Sequence, residues 1–173
     1  MPVVVVGTLV DGRPNYMTAA WATPVNYKPV MIGVALGRSH HTTRGIREHG
    51  EFSLSIPSCA LMEAVDYAGI VSGEKTDKSG LFTPFYGELK HAPMAAECPL
   101  AMECRVTQVV SLPLDDFFIA ELVGVHAAPE CVTGGEFDLA KASPFVFTMP
   151  DRGYWALGER IGDAWKAGKN HGA

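Results

Sequence analysis

Two polar stretches of the sequence contain residue types that bind anions. The segment "RSHHTTRGI" places the hydroxyl groups of Ser39 and Thr42 where a short helix is predicted to begin. Free backbone N–H groups and the helix dipole favour negative charge there, and the flanking arginines can add positive charge. The second stretch, "SGEKTDKSG", is a Gly-containing loop that carries Lys75 and Lys78. Ordinary N-capping by a hydroxyl, and solvated surface lysines, are the structural alternatives.

A third stretch, "NYMTAAW", has the pattern of a strand that admits a flat ligand. On a strand, Asn15, Ala19 and Trp21 share one face, and Thr18 and Ala20 share the other. The small central residues leave the backbone open to a planar group, whose polar edge can take main-chain hydrogen bonds. A flavin ring has such an edge. The alternative is that the alanines pack against a helix and Asn15 is a turn residue.

The histidines near the predicted helix do not have the spacing of a metal site. His40 and His41 are adjacent and therefore point in different directions, and no carboxylate completes a familiar ligand pattern with His49. We expect no metal. The four cysteines form no CxxC pair, so buried free thiols are the favoured interpretation and a redox role for one of them is the alternative; these residues are Cys59, Cys98, Cys104 and Cys131.

The elements that would position these stretches are mostly strands. Residues 3–10 are apolar and β-branched, Asp11-Gly12 gives a hairpin signal, and "YMTAAWATPV" reads as one returning strand that ends near Pro24. "PVMIGVALG" is a third strand that stops at Gly37. Three strands with tight connections this early predict an antiparallel meander.

The rest of the chain adds two short helices and further strands. Gly50 ends the helix that follows "SHHTTRG", and "SCALMEAVDYAG" is predicted as a helix with Ser58 as N-cap and Gly69 as its stop. "FSLSIP" and "SPFVFTMP" read as strands, and "ECPLAMECRVTQVVSL" and "FFIAELVGVHAA" as two long paired strands. Six or seven strands in sequence favour closure into a barrel, because closure removes exposed edges. We expect one domain over 1–173, with 155–173 as a partly extended tail that frays.

Composition excludes several function classes. The 173 residues are 47% hydrophobic and carry a formal net charge of −5, which argues against disorder and against a nucleic-acid-binding surface. No apolar run approaches the length of a membrane helix, and the first residues lack the features of a secretory signal, so we expect a cytoplasmic protein with no membrane partner. Neither a P-loop nor a GxGxxG motif is present.

The order of these stretches resembles the flavin reductase-like, FMN-binding split-barrel family, and its flavoredoxin-type members in particular. The resemblance covers about residues 1–130, through "PVVVVGTLVDGRPNYMTAAWATPV", "VMIGVALGRSHHTTRGI", "DYAGIVSGEKTDKSG", "ECPLAMECRV" and "FFIAELVGVH". "YWALGERIG" is similar to the closing segment of the family, whereas "CVTGGEFDLAKASPFVFTMPDRG" fits poorly. The resemblance implies a mainly β fold with short helices, an antiparallel split β-barrel of the FMN-binding type, in a homodimer.

The resemblance also implies a set of cofactor-binding residues. In that family the strand that matches residues 15–21 lies along the flavin ring, the helix start holds the phosphate or ribityl chain, and the lysine loop lies against the cofactor, with Lys78 the favoured lysine. A strand-end histidine and an aromatic residue of the closing segment match positions that approach the flavin. The residues carried over are Asn15, Thr18, Ala19, Ala20, Trp21, Ser39, Thr42, Ser72, Gly73, Lys75, Lys78, His126 and Tyr154.

The function implied is that of an FMN-dependent oxidoreductase or electron carrier, supplied with electrons by NAD(P)H or by a protein donor. No cysteine or carboxylate pair is required as a catalytic group, because the chemistry belongs to the cofactor. The alternatives are a flavin-exchanging NAD(P)H:flavin reductase that supplies reduced flavin to a partner, and a non-catalytic flavin-binding module.

Overall fold

The computed structural model describes residues 1–169 and 171, and its centre is one antiparallel sheet of seven strands. The strand order is β2-β1-β5-β8-β9-β4-β3. Their bounds are β1 Val4–Val10, β2 Arg13–Ala19, β3 Ala22–Asn26, β4 Met31–Gly37, β5 Glu51–Ile56, β8 Leu100–Ser111 and β9 Asp115–Ala127. The predicted pairing of the two long segments is confirmed, because β8 and β9 are hydrogen-bonded neighbours.

Shorter elements cover the sheet. Three two-stranded ribbons pair β6 with β7, β10 with β11, and β12 with β13. These strands are β6 Pro84–Phe85, β7 Met94–Ala95, β10 Val132–Thr133, β11 Glu136–Phe137, β12 Phe145–Phe147 and β13 Tyr154–Ala156. The helices are α1 His41–His49, α2 Met62–Ile70 and α3 Leu139–Ala142, with short 3₁₀ turns at Cys59–Leu61 and Pro129–Cys131. No helix in the described part of the chain combines the length and apolar character needed to cross a bilayer.

The first hairpin forms as its sequence predicts. Asp11 and Gly12 have φ values of 51° and 74°, and Val10 pairs with Arg13 across them. Positive φ at both central residues gives a turn that matches the right-handed twist of the flanking strands. A glycine at the second position adopts this conformation at little energetic cost. The hairpin therefore fixes the register of β2, the strand that carries Asn15 to Ala19.

The prediction of one continuous strand over "YMTAAWATPV" is wrong. The strand breaks at Ala20 and Trp21, and the two halves, β2 and β3, occupy opposite edges of the sheet. Side chains of β2 and β4 pack in one buried cluster across the interior. The hydrogen bond from Ala35 N–H to the Trp21 carbonyl, at 3.0 Å, only extends the β3–β4 pairing by one residue. The sheet therefore curls toward closure but stays split where the small residues lie.

Two buried clusters hold the layers together. Inside the curled sheet, Met17 and Ala19 of β2 pack with Ile46 of α1 and with apolar side chains of β1, β4, β5, β8 and β9. On the other side of β2, Tyr16 packs with Val65 and Ala68 of α2. Helix α1 thus closes one end of the barrel, and α2 lies against the outer face of β2, so both helices approach the strand that carries the small residues.

Two further predictions of element ends need correction. Gly69 was expected to stop the second helix, but α2 continues to Ile70 and ends where Val71 turns to an extended conformation, with φ −92° and ψ 140°. The tail expected over residues 155–173 includes the end of β13, which pairs with β12. Residues 157–163 have no regular structure and 164–169 form turns. Positions 170, 172 and 173 of that tail lie outside the described residues.

Candidate functional site

An apolar cavity of about 410 Å³ opens where the sheet is split. The end of β2, the residues of the strand break, the end of β4, helix α2 and the β12–β13 hairpin enclose it. Small or apolar side chains form most of the wall, with a few polar groups among them. The lining residues are Val3, Met17, Thr18, Ala19, Ala20, Trp21, Ala35, Leu36, Gly37, His40, Asp66, Gly69, Ile70, Asp115, Phe147, Arg152 and Tyr154.

A second cavity, of about 370 Å³, continues from the first toward the start of α1, and we call it the hydroxyl-lined cavity. It shares walls with the apolar cavity at Thr18 and His40, among others. Ser39, Thr42 and Ser72 contribute the hydroxyl-bearing side chains that distinguish it. The two cavities therefore form one continuous depression along β2.

No side chain caps the start of α1, although the Thr43 N–H donates to the His40 carbonyl at 3.0 Å. The N-cap of this helix is His40, which makes no side-chain hydrogen bond to the helix. The first N–H groups of a helix have no partner within the helix. N-capping by a hydroxyl of Ser39 or Thr42, the structural alternative for this motif, is therefore not what the structure shows.

Thr42 is fixed by the strand that carries the small residues. Its side chain is 2% exposed, and its Oγ1 accepts a hydrogen bond of 2.7 Å from Asn15 Nδ2. Because the oxygen already accepts from the amide, the hydroxyl proton is left to donate to another group. Asn15 is thus a positioning partner of Thr42 rather than an isolated turn residue.

A third cavity, the polar cavity, lies beyond the start of α1 and has a volume of about 470 Å³. It shares His41, Gly73 and Lys78 with the hydroxyl-lined cavity. Its wall is rich in charge: Arg13 donates to Asp77 at 3.2 Å. Hydrogen bonds from Ser79, and then the Arg13 guanidinium, lower the pKa of Asp77.

Lys78 stands between the hydroxyl-lined and the polar cavity. Its side chain is buried, and Nζ donates to the carbonyls of Ala68 and Val71 at the end of α2, each at 3.1 Å. Burial lowers the pKa of this ammonium group. An ammonium has three donors, so one remains for a ligand after both carbonyls are satisfied.

The loop before Lys78 is shaped by Gly73. A Cβ atom there would lie 2.3 Å from Asn15 Oδ1 and 2.8 Å from His41 Cδ2, so only glycine allows this approach to β2 and α1. Ser72 is exposed in the hydroxyl-lined cavity, and its Oγ accepts from Glu74 N at 3.3 Å. Lys75 is exposed along the polar cavity.

At the other end of the depression, Tyr154 links the closing segment to α2. Its hydroxyl donates to Asp66 Oδ1 at 2.8 Å. Burial, reinforced by that hydrogen bond and by the Asp66 charge, raises the pKa of Tyr154 to about 12. Tyr154 is therefore protonated at neutral pH, and it lines the apolar cavity. Nearby, Thr18 Oγ1 donates to the Val65 carbonyl and joins β2 to α2.

His126 is the one predicted site residue that lines none of these three cavities. It lies on β9, where Nε2 and Glu103 Oε1 are 2.8 Å apart and the ring meets Phe85 edge-on. The other twelve predicted residues each line at least one of the three cavities.

Several lining residues were not predicted from the sequence, and they come from elements that reach the cavities only in the folded chain. Asp66 is a helix residue without a motif of its own, and Arg152 belongs to the region that fits the family pattern poorly. His40 and His41, the adjacent histidines without metal-site spacing, lie at the start of α1 and line the hydroxyl-lined cavity. Among residues 1–169 and 171, no three His, Cys, Asp or Glu side chains are grouped to hold a metal ion.

The cysteines lie apart from these cavities as free thiols. Cys98, Cys104 and Cys131 are buried and Cys59 is half-buried, in agreement with the interpretation from sequence. Burial raises the pKa of Cys98 and of Cys104 to about 12. A thiolate is therefore disfavoured at these two positions.

The arrangement suits an elongated ligand with a flat apolar head and an anionic tail. The head fits the small-residue wall, and a polar chain can follow the hydroxyl-lined cavity. The tail then meets the start of α1, Thr42 and Lys78.

Comparisons with known proteins agree with this geometry. The model of the family described as "Flavin reductase like domain" matches residues 1–138. The chain also matches an uncharacterized protein of Archaeoglobus fulgidus at 36% identity over 115 residues, and spans 65% of that relative's length.

Solved structures extend the similarity over nearly the whole chain. Flavoredoxin from Methanosarcina acetivorans is 44% identical with a TM-score of 0.96, covering 98% of this chain and 91% of that one. Flavoredoxin of Desulfovibrio vulgaris (Miyazaki F) is 40% identical with a TM-score of 0.91, at 97% and 92% coverage. An FMN-binding protein from Thermus thermophilus with bound p-hydroxybenzaldehyde is 26% identical with a TM-score of 0.69, at 74% and 72% coverage.

Proposed function

The chain belongs to the flavin reductase-like domain family, among its flavoredoxin-type members, and we propose from this premise that it binds FMN and acts as an oxidoreductase or electron carrier. The observation that carries the proposal is the continuity of the apolar and hydroxyl-lined cavities along β2. A flavin with a phosphate tail has the shape and charge distribution that this depression accepts. An FMN-binding relative of known structure supports the choice of FMN among flavins.

Each part of the depression matches one part of FMN. Ala19 and Ala20 leave space for a flat ring against the end of β2, and both are nearly buried at 7% and 9% exposure. Donors at the start of α1, together with Thr42 and Lys78, suit a phosphate, because backbone N–H groups and a buried ammonium present positive charge. The residues present therefore fit the cofactor.

When bound, FMN supplies hydride and electron transfer, which no side chain of the chain can supply. The residues of this chain bind and orient it. The apolar wall excludes water from the ring, Thr42 and Lys78 hold the tail, and Tyr154 offers a protonated phenol at the cavity. The Asp66 carboxylate accepts a hydrogen bond from the Tyr154 hydroxyl and so fixes the direction of that hydroxyl.

The absorbance spectrum of the purified protein tests the proposal. We expect a yellow protein whose flavin absorbance bleaches on addition of NADH or NADPH and returns in air. Bleaching only with dithionite or a protein donor would identify an electron carrier, and a colourless protein that turns over added FMN would identify a flavin-exchanging reductase. A protein that binds neither FMN nor riboflavin contradicts the proposal.

We also propose that the protein is a homodimer. Large apolar side chains are exposed at the break between β2 and β3 and in the β3–β4 and β8–β9 turns, among them Trp21 at 61%, Tyr27 at 91% and Leu114 at 80%. His126 also lies apart from the cavities of its own protomer. Light scattering is expected to give about twice the 18.6 kDa chain mass. A monomer that holds FMN tightly would contradict the dimer but not the FMN site.

A further inference from the structure

Arg152 lies at the rim of the apolar cavity, on the hairpin that covers it. It belongs to the turn between β12 and β13, a turn whose neighbours Phe147 and Tyr154 line the same cavity. The side chain is exposed, and the backbone is left-handed, with φ 56°. A left-handed conformation at a non-glycine residue is sparsely populated and is often found at ligand-binding sites. The conformation of Arg152 and its place at the cavity are both those of a candidate ligand-binding residue.

Arg152 differs from the other arginines in having no acidic partner among the described residues. Each of the other six lies within 4.0 Å of a carboxylate oxygen, in the pairs Arg13–Asp77, Arg38–Asp116, Arg44–Asp11, Arg47–Asp116, Arg105–Glu88 and Arg160–Asp163. An ion pair with a carboxylate is thus the rule for the arginines of this protein. The guanidinium at the cavity rim keeps its donors for another group.

Two of the carboxylates near Arg152 are engaged elsewhere, and a third, Asp115, lines the same cavity from the start of β9. Asp151, the residue before it, accepts from Thr148 Oγ1 at 2.7 Å, and Thr148 Oγ1 in turn accepts from Trp155 Nε1 at 2.9 Å. Asp66, on α2, accepts a hydrogen bond from the Tyr154 hydroxyl. These bonds fix the hairpin turn and keep its own acid away from the guanidinium.

The anion that Arg152 would meet is not the phosphate of FMN. The groups suited to that phosphate line the hydroxyl-lined and polar cavities, and Arg152 lines neither of them. It stands instead on the covering hairpin, at the mouth of the cavity assigned to the ring. A ligand that enters there beside the flavin would place its outer end against the guanidinium.

We propose that Arg152 binds the negatively charged group of a second, ring-bearing ligand, which occupies the apolar cavity together with the flavin. The apolar wall selects the ring, and the guanidinium fork matches a carboxylate or a phosphate oxygen pair. The substrate class is therefore a planar apolar compound with one anionic substituent. This inference rests on the proposed FMN function.

Benzoate and benzamide form a matched pair of probes, because they share ring and shape and differ in charge. The FMN affinity of wild type and of Arg152→Gln is measured first and is expected to agree within about twofold. Calorimetric titration of the FMN-loaded wild type is then expected to show benzoate binding at least about tenfold tighter than benzamide, the scale of one hydrogen bond to a charged group. R152Q should lose this preference, and R152K should keep part of it.

Arg160→Gln is the control variant, because it removes one positive charge from the same segment at a residue already paired with Asp163. It should leave the benzoate preference unchanged. Equal loss of both probes in R152Q would assign Arg152 only a packing role for its aliphatic stem and overturn the proposal. Absence of binding by either probe to the wild type would overturn it as well.

The outcome for Arg152 is separable from the outcome for FMN. A chain that takes up no FMN contradicts the proposed function at the first step. The same titration on FMN-free protein would then still decide between anion recognition and packing at Arg152. An FMN-loaded protein without the benzoate preference leaves the proposed function intact and removes only the second-ligand site.

Discussion

The double variant Thr42→Ala/Lys78→Ala is expected to bind FMN at least about 100-fold more weakly than the wild type, while its affinity for riboflavin changes by less than about threefold. Each side chain would donate to the phosphate, and a hydrogen bond to a charged group is worth about 1.5–3 kcal/mol. Riboflavin lacks the phosphate, so its affinity should not depend on these two side chains. Fluorescence titration of the FMN-free protein with each flavin measures both constants.

The contacts of the two residues explain why they would act together. Asn15 Nδ2 donates a hydrogen bond to Thr42 Oγ1, so the Thr42 hydroxyl proton remains to donate to the ligand. Lys78 is held by the carbonyls of Ala68 and Val71, which fixes its ammonium group between the hydroxyl-lined and polar cavities. A preorganised donor loses less conformational entropy on binding than a free surface lysine does.

Removing Lys78 also releases the end of α2, and the riboflavin titration accounts for that effect. The control variant Thr107→Ala/Lys90→Ala removes the same side-chain types from exposed positions that line none of the three cavities. It should bind both flavins like the wild type. Equal weakening of FMN and riboflavin in T42A/K78A would place the phosphate elsewhere.

The variant Ala20→Leu is expected to weaken FMN and riboflavin alike, by about 10- to 100-fold. Ala20 lines the apolar cavity at the break between β2 and β3, and a leucine adds three carbon atoms where the ring would lie. Overfilling a packed space costs about 1–3 kcal/mol. The same titrations apply, and circular dichroism checks that the sheet is retained.

Ala60→Leu adds the same atoms at an exposed position of the 3₁₀ turn Cys59–Leu61, outside all three cavities, and should change neither constant. Loss of FMN affinity without loss of riboflavin affinity in A20L would argue that position 20 meets the tail rather than the ring. Unchanged binding of both would remove the ring from the apolar cavity. Together with T42A/K78A, this variant assigns the two ends of the ligand separately.

Elements that depend on local signals could be predicted from the sequence. The Asp11-Gly12 turn, the start and end of α1 and the β8–β9 pairing each follow from residues close together in the chain. The residues proposed to bind the phosphate could be predicted for the same reason. Hydroxyls before a helix and lysines in a Gly-containing loop are local features, and the fold brings both to one depression.

Features that depend on the whole sheet could not be predicted. The segment "YMTAAWATPV" has the residue pattern of one continuous strand. The break at Ala20 and Trp21 exists because β2 and β3 lie at opposite edges of the seven-stranded sheet, which no local pattern indicates. Asp66 and Arg152 reach the cavity from α2 and from the last hairpin, far apart in the chain, so no motif connects them. The partner of His126, Glu103, likewise comes from a neighbouring strand.

The most direct test of the central claim is a crystal structure of the protein with FMN bound. The structure is expected to show the flavin ring in the apolar cavity against Ala19 and Ala20. Its phosphate should lie at the start of α1, within hydrogen-bonding distance of Thr42 Oγ1 and Lys78 Nζ. A ring bound at any other surface, or a phosphate that faces away from α1, would contradict the account.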